Sequence, residues 1–148
     1  MNETKATRIA GVQPNGDYTV CIRWAGGTMA IVDLREAVFG LKELRPLRDR
    51  GAFARVAVGE GGHGVAWPGG QDMGADRLWE MSLEQNGRTD AAEFLRWRWR
   101  HGLSLGAAAE ALGLSRRMVA CYAGGEREVP RTVLLACKGW ELEQQQAA

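Results

Sequence analysis

The hydrophobic period changes partway along this chain, and that change constrains the fold more than any single motif. Between Arg8 and about Trp79 the apolar residues come in short runs. Tyr18, Val20, Ile22 and Trp24 alternate with Thr19, Cys21 and Arg23, the period of a half-buried strand. Gly26-Gly27 turns the chain, and Met29, Ile31 and Asp33 carry the return strand, so residues 17 to 33 read as a β-hairpin. Beyond Arg88 the apolar spacing lengthens to three and four. A chain of 148 residues has room for one ordinary domain or two small ones, and the switch of period calls for two.

Leu34, Val38, Leu41 and Leu44 have near-helical spacing, which predicts one short helix from Leu34 to Leu47 with Pro46 marking its end. Phe53, Val56 and Val58 lead into the loop Gly59 to Gly64. Val65-Ala66-Trp67 then resumes as a strand that Pro68-Gly69-Gly70 stops, a second hairpin. Met81 to Arg88 is polar and contains Asn86-Gly87, and reads as the linker. The expected class is α+β: a small antiparallel-sheet domain with one short helix over residues 1–84, then an all-α domain of four to five helices over 85–148.

Several residues of the first part carry a resemblance. Val12-x-Pro14, Val32-Asp33-Leu34, Leu44-x-Pro46-Leu47-x-Asp49, Phe53, and Trp67-Pro68-x-Gly70-x-Asp72 followed by Leu78-Trp79 resemble the bacterial domain-of-unknown-function family 2442 over roughly the first eighty residues. The resemblance implies a small α+β fold with an antiparallel sheet, and no known catalytic activity. Trp67-Pro68 reads equally as a recognition surface and as the end of a core strand.

In the second part, Asp90 and Glu93 have capping-box spacing, and Phe94, Leu95, Trp97 and Trp99 give that first helix its apolar surface until Gly102. The tryptophans are expected to pack against the last helix or the other domain. Ser104 caps a second helix, Leu105 to Leu112, in which Ala107-Ala108-Ala109 lets a neighbour approach closely. Gly113 permits a turn, Ser115 caps a third helix from Arg116 to about Ala123, and Pro130 opens a fourth. The run LSLGAAAEALGLSRRMVACYAGGEREVP is similar to the Cro-like, or Xre-type, helix-turn-helix family of phage repressors. Leu103-Ser104, Ala109, Gly113, Leu114-Ser115, Val119, Tyr122, Gly125 and Pro130 carry the match. Leu105 and Ala123 depart from it, standing where glutamine and glutamate are common.

That resemblance implies a third helix lying in the major groove of DNA, with its first side chains towards the base edges. Arg116 and Arg117 occupy that leading edge and suit guanine, and Ala120 offers a methyl to thymine. Ser104, Ser115 and Arg98 are the candidates for phosphate contacts. Residues 88–148 carry nine Lys and Arg against seven Asp and Glu, and residues 1–87 ten against eleven, so the small basic excess falls in the helical part. The expected function is a sequence-specific DNA-binding regulator, a repressor, with double-stranded DNA as partner and a homodimer as the working form, since one short recognition helix reads few base pairs. The alternative is an antitoxin or other interaction module whose N-terminal domain binds a partner such as a cognate toxin.

An enzyme is not expected. His63 and His101 lie far apart in sequence, the three cysteines lack metal-ligand spacing, and the Gly59 to Gly64 loop lacks the Lys-Ser or Lys-Thr of a phosphate loop. No cofactor and no metal are expected. Reduced cysteines, the lack of a signal-like apolar stretch at the N-terminus and the lack of a membrane-length apolar window point to a cytoplasmic protein with no membrane partner.

Overall fold

A computed structural model describes residues 8–147 of the chain, which divide after Gln85 into two compact units. The α+β class is as expected: antiparallel sheet first, several helices after it.

The first unit opens with a three-stranded meander of β1 (Ile9–Pro14), β2 (Thr19–Trp24) and β3 (Met29–Asp33). Val20, Ile22 and Trp24 of β2 are buried, as their alternation predicts. The return strand has the other phase. Val20 pairs with Val32 and Ile22 with Ala30, and residues directly opposite in an antiparallel pair share a face, so Val32 points inward. Met29 and Ile31 face outward, 61% and 56% exposed. One residue of register exchanges the two faces of a strand, and the β2 pairing sets it here.

The expected helix over 34–47 is broken in two. A short α1 (Arg35–Gly40) ends at Leu41, whose backbone is extended (φ −97°, ψ 129°), and a 3-10 helix over Lys42–Arg48 contains Pro46. Proline supplies no amide hydrogen and its ring clashes with the carbonyl four residues back, so an α-helix cannot run through it unkinked. Asp49 caps the four-residue α2 (Arg50–Phe53), accepting from the Ala52 amide at 2.9 Å.

The second sheet, in the order β4 (Ala57–Val58), β5 (Gly64–Ala66), β6 (Asp72–Gly74), contains the expected second hairpin with the glycine loop as its connection. A Cβ on Gly64 would overlap the Met73 carbonyl oxygen, so glycine lets β5 and β6 close up. Trp67 belongs to the core. It is buried, its indole N–H donates to the Phe53 carbonyl at 2.9 Å, and its ring leans on that of Phe53. Pro68 and the two glycines after it form the exposed turn.

Residues expected to form a linker are helical as far as Gln85. Helix α3 (Ala75–Gln85) buries Ala75, Leu78, Trp79, Ser82 and Leu83, and Trp79 meets Trp24 edge-on at 5.0 Å. At its end the Gln85 side-chain amide brackets Asp33 on β3: Oε1 accepts the Asp33 amide at 2.8 Å, and Nε2 donates to the Asp33 carbonyl at 2.9 Å.

The second unit contains four helices, α4 (Thr89–Arg100), α5 (Leu105–Leu112), α6 (Arg116–Ala123) and α7 (Arg131–Ala147). Phe94 on α4 meets Tyr122 on α6 edge-on at 5.6 Å, and Trp97 packs on Trp140 of α7 at the same distance, the last-helix contact expected of it. Ala108 and Ala109 are buried, and their small side chains allow close helix approach. Among the described residues no helix is long and apolar enough to cross a membrane.

Candidate nucleic-acid interface

Helices α5 and α6 are joined by the three residues 113–115, and each joint has a local cause. The Ser104 hydroxyl accepts the Ala107 amide at 3.0 Å, capping α5. Gly113 ends α5 with a left-handed backbone (φ 72°, ψ 31°) that side-chain-bearing residues adopt at a cost, and the Leu114 amide returns to the Ala109 carbonyl at 2.9 Å. The Ser115 hydroxyl then accepts the Met118 amide at 3.1 Å, capping α6.

Helix α6 buries Val119, Tyr122 and Ala123 and leaves Arg116 and Arg117 exposed in its first turn, with Ala120 and Cys121 half-buried a turn later. Arg116 and Ala120 share a face by their four-residue spacing, and Arg117 and Cys121 share the adjacent one. The first turn contains no acidic residue. Two cations at a helix N-terminus oppose the helix dipole, which favours anions there. Both cap serines use their oxygen as acceptor, so each hydroxyl hydrogen can still be donated outward.

Arg98 does not join this surface. Its residue is 6% exposed and its guanidinium donates to the Leu103 carbonyl at 3.0 Å, tying the end of α4 to the start of α5. A side chain held inward in this way is not presented to a phosphate. Leu105 is buried as well.

The sequence reading also missed what holds the segment after α6. Helix α4 begins at Thr89, so Asp90 lies in its first turn and not at its cap. The Asp90 carboxylate instead accepts the Val129 amide at 2.7 Å. Arg88, paired with Asp90 at 3.2 Å, donates to the Gly125 carbonyl at 2.7 Å and the Arg127 carbonyl at 3.1 Å. Burial alone would raise the Asp90 pKa, but the Arg88 hydrogen bond and the Val129 and Ala91 amides outweigh it and hold the carboxyl below its ordinary value. The closeness of Arg88 and Asp90 in sequence was the available signal. Nothing in the sequence located their partners 35 to 40 residues on.

Elsewhere in this unit, His101 at the end of α4 contacts Glu141 of α7 (Nε2 to Oε2, 2.7 Å), which also pairs with Arg100 at 3.3 Å. His63 is exposed in the first unit. Among the described residues no group of three or more His, Cys, Asp or Glu could hold a metal ion.

Comparison with solved structures shows similarity to the crystal structure of Putative DNA Binding Protein NE0471 from Nitrosomonas europaea ATCC 19718. The TM-score is 0.66 at 35% sequence identity, and the match covers 95% of this chain and 90% of that one. No curated protein matches the chain. Residues 9–83 match the model of the family described as Protein of unknown function (DUF2442), and the chain belongs to that family.

Proposed function

We propose that the protein is a sequence-specific DNA-binding regulator of the helix-turn-helix type, a repressor that reads duplex DNA with α6. The reading is that of a binding protein and not of an enzyme. The observation that carries it is the first turn of α6, where Arg116 and Arg117 are both exposed and both set against the helix dipole. A nearby phosphate reverses the sign of that interaction, and a guanine edge satisfies a guanidinium fork. The similar structure from Nitrosomonas europaea bears the name Putative DNA Binding Protein, which supports the DNA-binding part of the reading.

In this account Arg116 and Arg117 face base edges, each good bidentate contact being worth about 1–3 kcal/mol of discrimination. Ala120 offers its methyl to a thymine. The Ser104 and Ser115 hydroxyls donate to phosphate oxygens, one at the start of each helix of the pair. The recognition helix spans Arg116–Ala123, too short to read a long site alone, so the working form is a homodimer on a two-fold symmetric operator. Selection of bound fragments from a randomised duplex pool at low salt tests this. Enrichment of a two-fold symmetric motif is expected, and a pool left unenriched after repeated rounds would contradict the proposal.

A further inference from the structure

We infer that the outer edge of β3 is the seam of a two-fold dimer, in which the strand pairs antiparallel with β3 of a second copy about Ala30.

The hydrogen-bonding direction along β3 is set by its inner partner. Leu34 donates to the Tyr18 carbonyl and the Trp24 amide donates to Thr28, so the even-numbered residues of this stretch bond to β2. The amides and carbonyls of Met29, Ile31 and Asp33 therefore point away from the sheet. Gln85 satisfies both groups of Asp33. Those of Met29 and Ile31 have no partner among the described residues. An edge strand of this kind is a template for another strand, and proteins usually guard it with lysine, proline or a bulge. Met29-Ala30-Ile31-Val32 has neither lysine nor proline, and its pairing with β2 is regular.

The exposed groups fit their own copy. With Ala30 on the two-fold axis, Met29 lies opposite Ile31 of the copy and Ile31 opposite its Met29, and each pair exchanges both hydrogen bonds. The two outward side chains, 61% and 56% exposed, then cover one another across the seam. Charge permits the approach. Arg23, the β2 neighbour of Met29, folds its guanidinium over Gly11 on the far strand, which keeps that charge away from Met29 and Ile31. Pairing about Ala30 sets Asp33 opposite Gly27, so the two Asp33 carboxylates stay apart and both Gln85 brackets are kept. The result is a continuous six-stranded antiparallel sheet. The choice of a second copy over a foreign strand rests in part on the DNA-binding reading, which calls for a two-fold axis.

Sedimentation equilibrium of the full chain without DNA, with amide hydrogen exchange followed at Met29 and Ile31 over a concentration series, tests the seam. A dimer is expected, with exchange at both amides slowing as concentration rises. Ile31→Pro removes an outward donor and leaves the β2 ladder bonded, and Ile31→Lys sets like charges near the axis. Each should weaken the dimer at least tenfold, about 1.4 kcal/mol, with unchanged far-ultraviolet circular dichroism. Should the proline variant not fold, the lysine variant decides. A chain that stays monomeric at high concentration, a dimer that survives the lysine change, or amides protected only when another protein is added would overturn the inference. A dimer broken by these changes that ignores every duplex would leave the seam standing and remove the DNA reading.

Discussion

The Asp90 carboxylate accepts the Val129 amide at 2.7 Å, joining the first turn of α4 to the segment that follows the proposed recognition helix. Arg88 completes the tie by holding the Gly125 and Arg127 carbonyls. Replacing Asp90 by alanine leaves the half-buried Arg88 and the Val129 amide without their acceptor, at a cost of about 1–3 kcal/mol of stability. Because the folded carboxyl titrates below its ordinary value of 3.8, its contribution is fully present above that pH and is lost as pH falls through the folded value. Urea unfolding should show a deficit for Asp90→Ala at pH 7 that shrinks in acid. A deficit that grew on acidification would contradict this assignment.

Trp67→Phe keeps most of the apolar volume and removes the indole donor, so it isolates the hydrogen bond to the buried Phe53 carbonyl. The expected loss is about 0.5–1.5 kcal/mol, that of one hydrogen bond, because the carbonyl keeps the Val56 amide as a donor at 3.3 Å. Thermal unfolding checks it. A variant as stable as the parent would mean that the bond contributes nothing to the core.

The strands and caps that local chemistry determines were legible in the sequence, and the features set by distant partners were not. The alternation from Tyr18 to Trp24, the capping serines Ser104 and Ser115 and the turn at Gly113 all appear where short-range rules place them. The inward residue of β3 depends on pairing with β2, so Val32 replaces the flanking Met29 and Ile31. Asp90 satisfies every local rule for a cap and yet serves Val129. Arg98 has the composition of a phosphate ligand, but tertiary packing turns it inward to Leu103. The polar stretch from Met81 to Gln85 concealed a helix whose buried positions, Ala75, Leu78, Trp79, Ser82 and Leu83, do follow the helical period. Reading those five together would have recovered it. At the candidate interface the sequence located Arg116, Arg117, Ala120 and both serines on or beside α6 and α5, because helix phase alone places them.

Cys137 is 4% exposed, and burial, with Glu141 and Glu93 adding to it, pushes its thiol up to about 12. The thiolate is the reactive form, so Cys137 should resist a disulfide reagent at pH 8 until the helical unit opens, while the half-buried Cys21 and Cys121 react first. Mass spectrometry of the labelled protein before and after denaturant reads this directly. Early labelling of Cys137 would show that α7 leaves its place in the native state.

The most direct measurement on the central claim is fluorescence anisotropy with the selected duplex and a scrambled one over a salt series, comparing the parent with the Arg116→Ala, Arg117→Ala double variant. Both side chains are exposed and have no partner among the described residues, so the variant should keep its unfolding temperature. The account predicts that preference for the selected duplex is lost in the variant, which removes the base contacts and leaves those of Ser104 and Ser115 to phosphate in place. Equal binding of both duplexes by the parent, or an unaltered preference in a folded variant, would contradict it.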